Sequence, residues 1–141
     1  MFYIPIQTAY PDQTLRIELD GNAYDIRVYY SAYDDVIKEI TADGREGKWY
    51  MEIVDGQSTG DINQDLALGL VNTKSIALVN GADLFEPYGY QGLGSLFVID
   101  GEGLNENPDF DNMGDRYKIL YVEKAQQEDF LISIGYKNAS I

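Results

Sequence analysis

The residues best suited to gripping a cation lie in one short stretch, Asp109-Phe110-Asp111-Asn112-Met113-Gly114-Asp115, with three carboxylates and an amide around a glycine. Such oxygen-rich loops hold calcium when their ligands recur at fixed steps. An EF-hand loop needs oxygen at its first, third and fifth positions, glycine at the sixth and glutamate at the twelfth. Counted from Asp109, the glycine falls in place at Gly114, but the fifth residue is Met113 and the twelfth is Leu120. The stretch therefore reads as a turn in which Gly114 makes the bend and Asp115 opens a strand. Asp109, Asp111 and Asp115 remain only as weak metal candidates.

Acid–base chemistry is the next class to consider. Two carboxylates facing each other across a cleft can cut a glycosidic bond, and Glu18, Glu52, Asp100 and Glu123 all sit in or beside strand-like segments. Alternation, however, points Glu18 and Glu52 to solvent. The chain has neither histidine nor cysteine. That removes imidazole and thiolate metal sites, disulfides, the usual general base at neutral pH, and every Ser-His or Cys-His pair. The glycines of Gly89-Tyr90-Gln91-Gly92-Leu93-Gly94 are not followed by lysine and do not form a phosphate cradle. Neither an enzyme nor a cofactor is expected.

The elements that would position any site are mostly strands. "TLRIEL" (14–19) and "YDIRVYY" (24–30) alternate polar with apolar around Asp20-Gly21, which predicts a hairpin, because that turn needs residues tolerant of positive φ. "KWYMEIV" (48–54) predicts a third strand, and the segment 31–47 between them reads as an extended hairpin arm. "QSTGDINQD" (57–65) reads as polar loop. "LALGLVNT" (66–73) and "SIALVNGADLF" (75–85) read as buried strands. "EPYGYQGLG" (86–94) is a turn-rich aromatic loop. "SLFVID" (95–100) is a strand, 101–114 a surface loop, "DRYKILYVEK" a strand again, and "DFLISIGY" (129–136) a last strand. About eight short antiparallel strands with regular turns predict an all-β fold, a small β-barrel or barrel-like sandwich, as a single domain over 1–141.

The net charge of −14 argues against nucleic acid and against an anionic membrane surface, and favours basic protein partners. The N-terminus lacks a basic flank and carries Pro5 and Gln7 within its apolar run, so it does not read as a signal peptide and synthesis in the cytoplasm is expected. Twelve tyrosines, five phenylalanines and one tryptophan are more informative. Several of these, Tyr30, Tyr33, Tyr88 and Tyr90 among them, lie near turns or in adjacent pairs that cannot all face one core. Tyrosine joins a large apolar ring to a polar tip and suits protein interfaces. With Phe85 beside the 86–94 loop, these five residues are the candidate interface. A carbohydrate-binding β-sandwich, stacking sugars on Trp49 or a tyrosine platform, is the alternative, although a tryptophan inside a strand is more often core.

"LRIELDGNAYDIRVYY", "KWYMEIVDG", "LALGLVN", "GSLFVIDGEG" and "GDRYKILYVE" follow one another in an order that resembles the small baseplate plug family of contractile-tailed phages, of the cyanophage baseplate type. The matching elements are Leu19-Asp20-Gly21, Trp49-Tyr50, Leu66–Val71, Leu96–Asp100 and Gly114–Glu123, spanning about residues 2–124. The resemblance implies a structural subunit of the tail baseplate that packs against hub, tube or spike proteins. It also implies several copies in a symmetric assembly and a place in the virion. On that reading the 86–94 loop is the docking loop, and edge strands 14–19 or 117–123 could extend a neighbour's sheet.

Overall fold

The structure is a computed structural model that describes residues 1–8, 10–31, 33–34, 39–40, 47–89 and 92–135, with the backbone alone at 33, 34, 39, 40 and 74. The strands are β1 (Phe2–Tyr3), β2 (Asp12–Leu19), β3 (Asn22–Ser31), β4 (Tyr33–Asp34), β5 (Glu39–Ile40), β6 (Lys48–Asp55), β7 (Asn72–Ala77), β8 (Ser95–Asp100) and β9 (Tyr117–Val122). Helix α1 (Ile62–Ala67) lies between β6 and β7, a 3-10 turn covers Glu86–Tyr88, and α2 (Lys124–Ser133) follows β9.

The β2–β3 hairpin forms as expected. Asp20 (φ 50°) and Gly21 (φ 84°) make a two-residue turn, and Leu19 faces Asn22 across it. Two residues at positive φ match the twist of the flanking strands, which is why Asp-Gly stands there. β3 then pairs with β6 and β6 with β7, all antiparallel, giving the order β2-β3-β6-β7. A second sheet has the order β1-β9-β8, also antiparallel, and β4 pairs with β5 within the 31–47 segment. The mostly-β expectation holds; of the two forms expected, a barrel or a barrel-like sandwich, no closed barrel is found, since among the described residues no sheet closes on itself, and two sheets that share one core are sandwich-like.

The main core draws Ile26, Val28, Met51 and Ile53 from the four-stranded sheet, and Leu96, Val98, Ile119 and Tyr121 from the three-stranded one. Every second residue of β8 and β9 faces that core. The residues between them, Phe97, Leu120 and Val122, join Leu131 of α2 in a smaller cluster, with the Phe97 and Phe130 rings 5.4 Å apart. A sheet covered on both faces reads as a continuous apolar run, as Leu96-Phe97-Val98-Ile99 does.

Three expected segments are corrected. The described part of the expected strand 129–136, residues 129–135, is not a strand; most of it belongs to α2. The apolar run Phe130-Leu131-Ile132 is too short to reveal a period, while the helix-forming Ala-Gln-Gln-Glu before it starts the helix at Lys124. Gly135, at φ 75°, lies just past its end. Residues 57–65 are not all loop and 66–73 are not one strand. α1 crosses that boundary, Gly69 turns the chain at φ 73°, and β7 begins at Asn72.

One knot joins both sheets and α2. The Tyr121 hydroxyl donates to Asp20 Oδ2 and accepts from Gly94 N (2.8 Å). Asp20 also accepts from Lys124 N at 3.2 Å, at the start of α2. There the chain passes so close to itself that a methyl on Gly94 would stand 1.9 Å from the Val122 carbonyl oxygen. Gly94→Ala is expected to destabilise the protein by about 3 kcal/mol or more in denaturant unfolding, since neither backbone can give way cheaply. Tyr121→Phe leaves the buried Gly94 N–H without its partner and is expected to cost about 1–3 kcal/mol by the same measurement.

Candidate docking surface

The long connection from β8 to β9 is organised by Arg116, which pairs with carboxylates at its start and middle rather than with Asp109, Asp111 or Asp115. Its guanidinium pairs bidentately with Asp100 (2.9 and 3.0 Å) and reaches Glu106 at 3.1 Å and Glu102 at 3.6 Å. It also lies 4.8 Å from the Tyr117 ring centroid. Asp100 in turn accepts the backbone N–H groups of Glu102 and Glu106, so one pair, its carboxylate buried and its guanidinium partly so, ties down the long β8–β9 connection. Asp109 accepts from Asp111 N, Asn112 N and Asn112 Nδ2, a turn closed on itself, while its carbonyl accepts the Trp49 indole N–H at 2.7 Å. Asp111 and Asp115 are exposed.

The four carboxylates weighed for acid–base work have separate surroundings. Glu52 lies 3.6 Å from Arg27, Asp100 is held by Arg116, Glu123 lies 2.5 Å from the Met1 amino group, and Glu18 is exposed. Trp49 is buried edge-on to Tyr30, so it offers no open face for a sugar.

The candidate interface residues separate. Phe85 is a core residue, its ring 6.4 Å from Tyr121, and does not reach the surface. Tyr30 is half-buried between Trp49 and Phe110, and its hydroxyl accepts from Gly47 N. Tyr90 and the Tyr33 side chain lie outside the described residues. Tyr88 is exposed, on a 3-10 turn started by Pro87 and ended by Gly89 at φ 62°. That loop hangs from buried Asp83, which accepts from Phe85 N, Leu96 N and Ser95 Oγ.

Opposite Tyr88 lies an element absent from the expectation. α1 is capped by Asp61, whose Oδ1 accepts from Asn63 N (2.9 Å) and Gln64 N (3.2 Å). Its one buried residue is an aspartate. Asp65 accepts from Ser58 Oγ (2.5 Å), Thr59 N (2.8 Å), Thr59 Oγ1 (2.7 Å) and Asn72 Nδ2 (2.8 Å). The apolar residues of the helix and its cap point the other way: Leu66 is 77% exposed, Leu68 60% and Ile62 50%, against 42% for Tyr88. Leu66, Leu70, Val71 and Tyr88 line a groove of about 700 Å³ that also takes in Tyr24 and Asp55. This short helix thus buries its acid and, with its cap, leaves its leucines exposed beside the groove. The signal was in the sequence: Asp61-Ile62-Asn63-Gln64 has the N-cap and N3 residues of a capping box.

Donors around Asp65, the Ser58 and Thr59 hydroxyls foremost, hold its carboxyl well below the usual carboxylate range. The Arg116 guanidinium does the same for Asp100. A depressed folded-state pKa contributes stability that is present above the unfolded value of roughly 4 and is lost as pH falls toward the folded value. Stability is therefore expected to decline progressively in acid below about pH 5. Asp65→Asn and Asp100→Asn should each be less stable near neutrality and lose less on acidification, in denaturant unfolding followed across pH.

No curated protein matches the chain. Against protein families, residues 1–124 match the family described as cyanophage baseplate Pam3 plug gp18. The matched span takes in every described strand and ends at the first residue of α2. With most of its length inside that match, the chain belongs to the cyanophage baseplate plug family.

Proposed function

We propose that this chain is a structural, non-catalytic subunit of a phage tail baseplate, docking onto its neighbours through the face formed by α1 and the 86–94 loop. Family membership supports the baseplate role. The observation that carries the docking face is α1 itself, with Asp65 pinned inside, Ile62, Leu66 and Leu68 outside, and Leu66 sharing a groove with Tyr88. The net charge of −14 favours a partner that brings lysine or arginine around an apolar anchor. Hub, tube or spike proteins are the neighbours the reading names, with several copies of this chain in a symmetric ring inside the virion, after synthesis in the host cytoplasm.

Leu66→Glu and Tyr88→Ala alter exposed side chains, so each should melt within a few degrees of the wild type. In phage carrying either variant, quantitative mass spectrometry of gradient-purified particles should show the chain depleted about tenfold or more, in line with loss of an interface anchor. Normal incorporation of both variants would reject this face as the docking surface. Absence of the wild-type chain from intact particles would reject the baseplate role.

A further inference from the structure

We propose a second contact surface, the free edge of β2, which takes an extended segment of a neighbouring baseplate protein as an added antiparallel or parallel strand. The identity of that neighbour rests on the baseplate reading above; the edge itself rests on geometry.

In a two-residue hairpin the pair flanking the turn exchanges both hydrogen bonds, and the pattern then alternates. Leu19 and Asn22 flank this turn, and the same phase recurs at the far end, where Tyr30 N donates to Pro11 O at 2.8 Å. Gln13, Leu15, Ile17 and Leu19 therefore bond inward to β3, while the N–H and C=O groups of Asp12, Thr14, Arg16 and Glu18 point out of the sheet. Among the described residues nothing pairs with those outward groups.

The other edges differ. β9, one of the two edges expected, is the middle strand of its sheet. β8 is covered by the preceding segment, through Leu84 N to Leu96 O (2.8 Å) and the Asn80–Val98 bridge. β7 is broken by an irregularity opposite Met51–Ile53 and by Ser75 at φ 58°, and β1 has two residues. β2 runs eight residues without a bulge, an internal proline or a charge on its core side. Those are the devices that usually blunt an edge.

The core is also incomplete there. Leu15 and Ile17 pack on it but stay partly exposed, whereas Ile26 and Val28 on the next strand are fully buried. An added strand would place alternate apolar residues beside Leu15 and Ile17 and finish that cover. On the outer face, Asp12 is paired with Arg27 (2.7 Å) and Arg16 with Asp25 (2.9 Å), leaving Glu18 with no ion pair among the described residues. The incoming segment should therefore carry a lysine or arginine near the Glu18 register. A second copy of this chain fits poorly: it adds another −14, and the sole cation of its own β2, Arg16, is already held by Asp25.

Hydrogen exchange of the free protein against assembled particles tests this directly. The amides of Thr14, Arg16 and Glu18 should exchange freely in the first and slow by about tenfold or more in the second. A photo-crosslinking residue at position 18 should capture an extended, alternating segment of a different baseplate protein. Thr14→Pro removes an outward N–H that the chain itself does not use, so it should fold yet lose incorporation, as should Glu18→Lys. Unchanged exchange in particles, or capture of a second copy of this chain, would overturn the proposal. If the wild-type chain is incorporated through Leu66 and Tyr88 while the β2 amides stay open, the edge proposal fails and the baseplate reading stands. Absence from particles would remove both.

Discussion

The hydrogen-bonded knot at Asp20 is the contact on which the rest of the molecule depends. The β2–β3 turn must hold a non-glycine residue at positive φ, and the carboxylate placed there reaches the Tyr121 hydroxyl and the first N–H of α2. Tyr121 belongs to the middle strand of the other sheet and passes the connection on to Gly94. The turn chemistry of one hairpin thereby ties together the two sheets, the start of α2 and the entry of the chain into β8 at Gly94. Burial raises the Tyr121 pKa and Asp20 raises it further, so the hydroxyl stays protonated and remains a donor.

Among the described residues three carboxylates are buried, Asp65, Asp83 and Asp100, and neutral donors hold two of them. Asp65 and Asp83 are held by backbone N–H groups and side-chain hydroxyls, with an asparagine amide added at Asp65. Asp100 alone of these three is held by arginine. Each buried acid organises a connection rather than a strand: Asp65 the stretch around α1, Asp83 the loop to β8, Asp100 the long loop to β9. Loops tied in this way can present exposed apolar groups in fixed places, which a mobile loop could do only with an entropic penalty on docking. The two proposed contact surfaces share that logic, one a helix held by its buried acid, the other a strand held by its hairpin.

The hairpin, the β6 strand and the paired strands β8 and β9 were legible because their patterns have period two or fill both faces of a sheet, and because Asp-Gly is a turn with a mechanism. α1 was not, because six residues carry too few turns to show a helical period and its apolar residues face solvent. A pattern reading assumes that leucines go inside. At Leu66 and Leu68 that assumption inverts, and the inversion supports the proposed docking surface. α2 was missed for a related reason, its apolar residues being bunched near one end rather than spread along a face.

By itself the sequence determined the mostly-β character, the hairpin and its turn, the lack of imidazole and thiolate chemistry, the acidic surface and, through the order of its strand motifs, the family. All but the family follow from local periodicity, residue inventory and net charge, and the family from a resemblance in motif order; none of these needs long-range contacts. Only the tertiary structure decided that the strands form two main sheets rather than a barrel, that Asp100, Glu102 and Glu106 gather on Arg116, that Phe85 and Trp49 are core, and that β2 is an open edge while β9 is not. Each of these turns on which strand or side chain lies beside which, over separations of tens of residues. Pairings at that range are selected by packing and hydrogen-bond satisfaction in the folded chain, and leave no local periodicity to read.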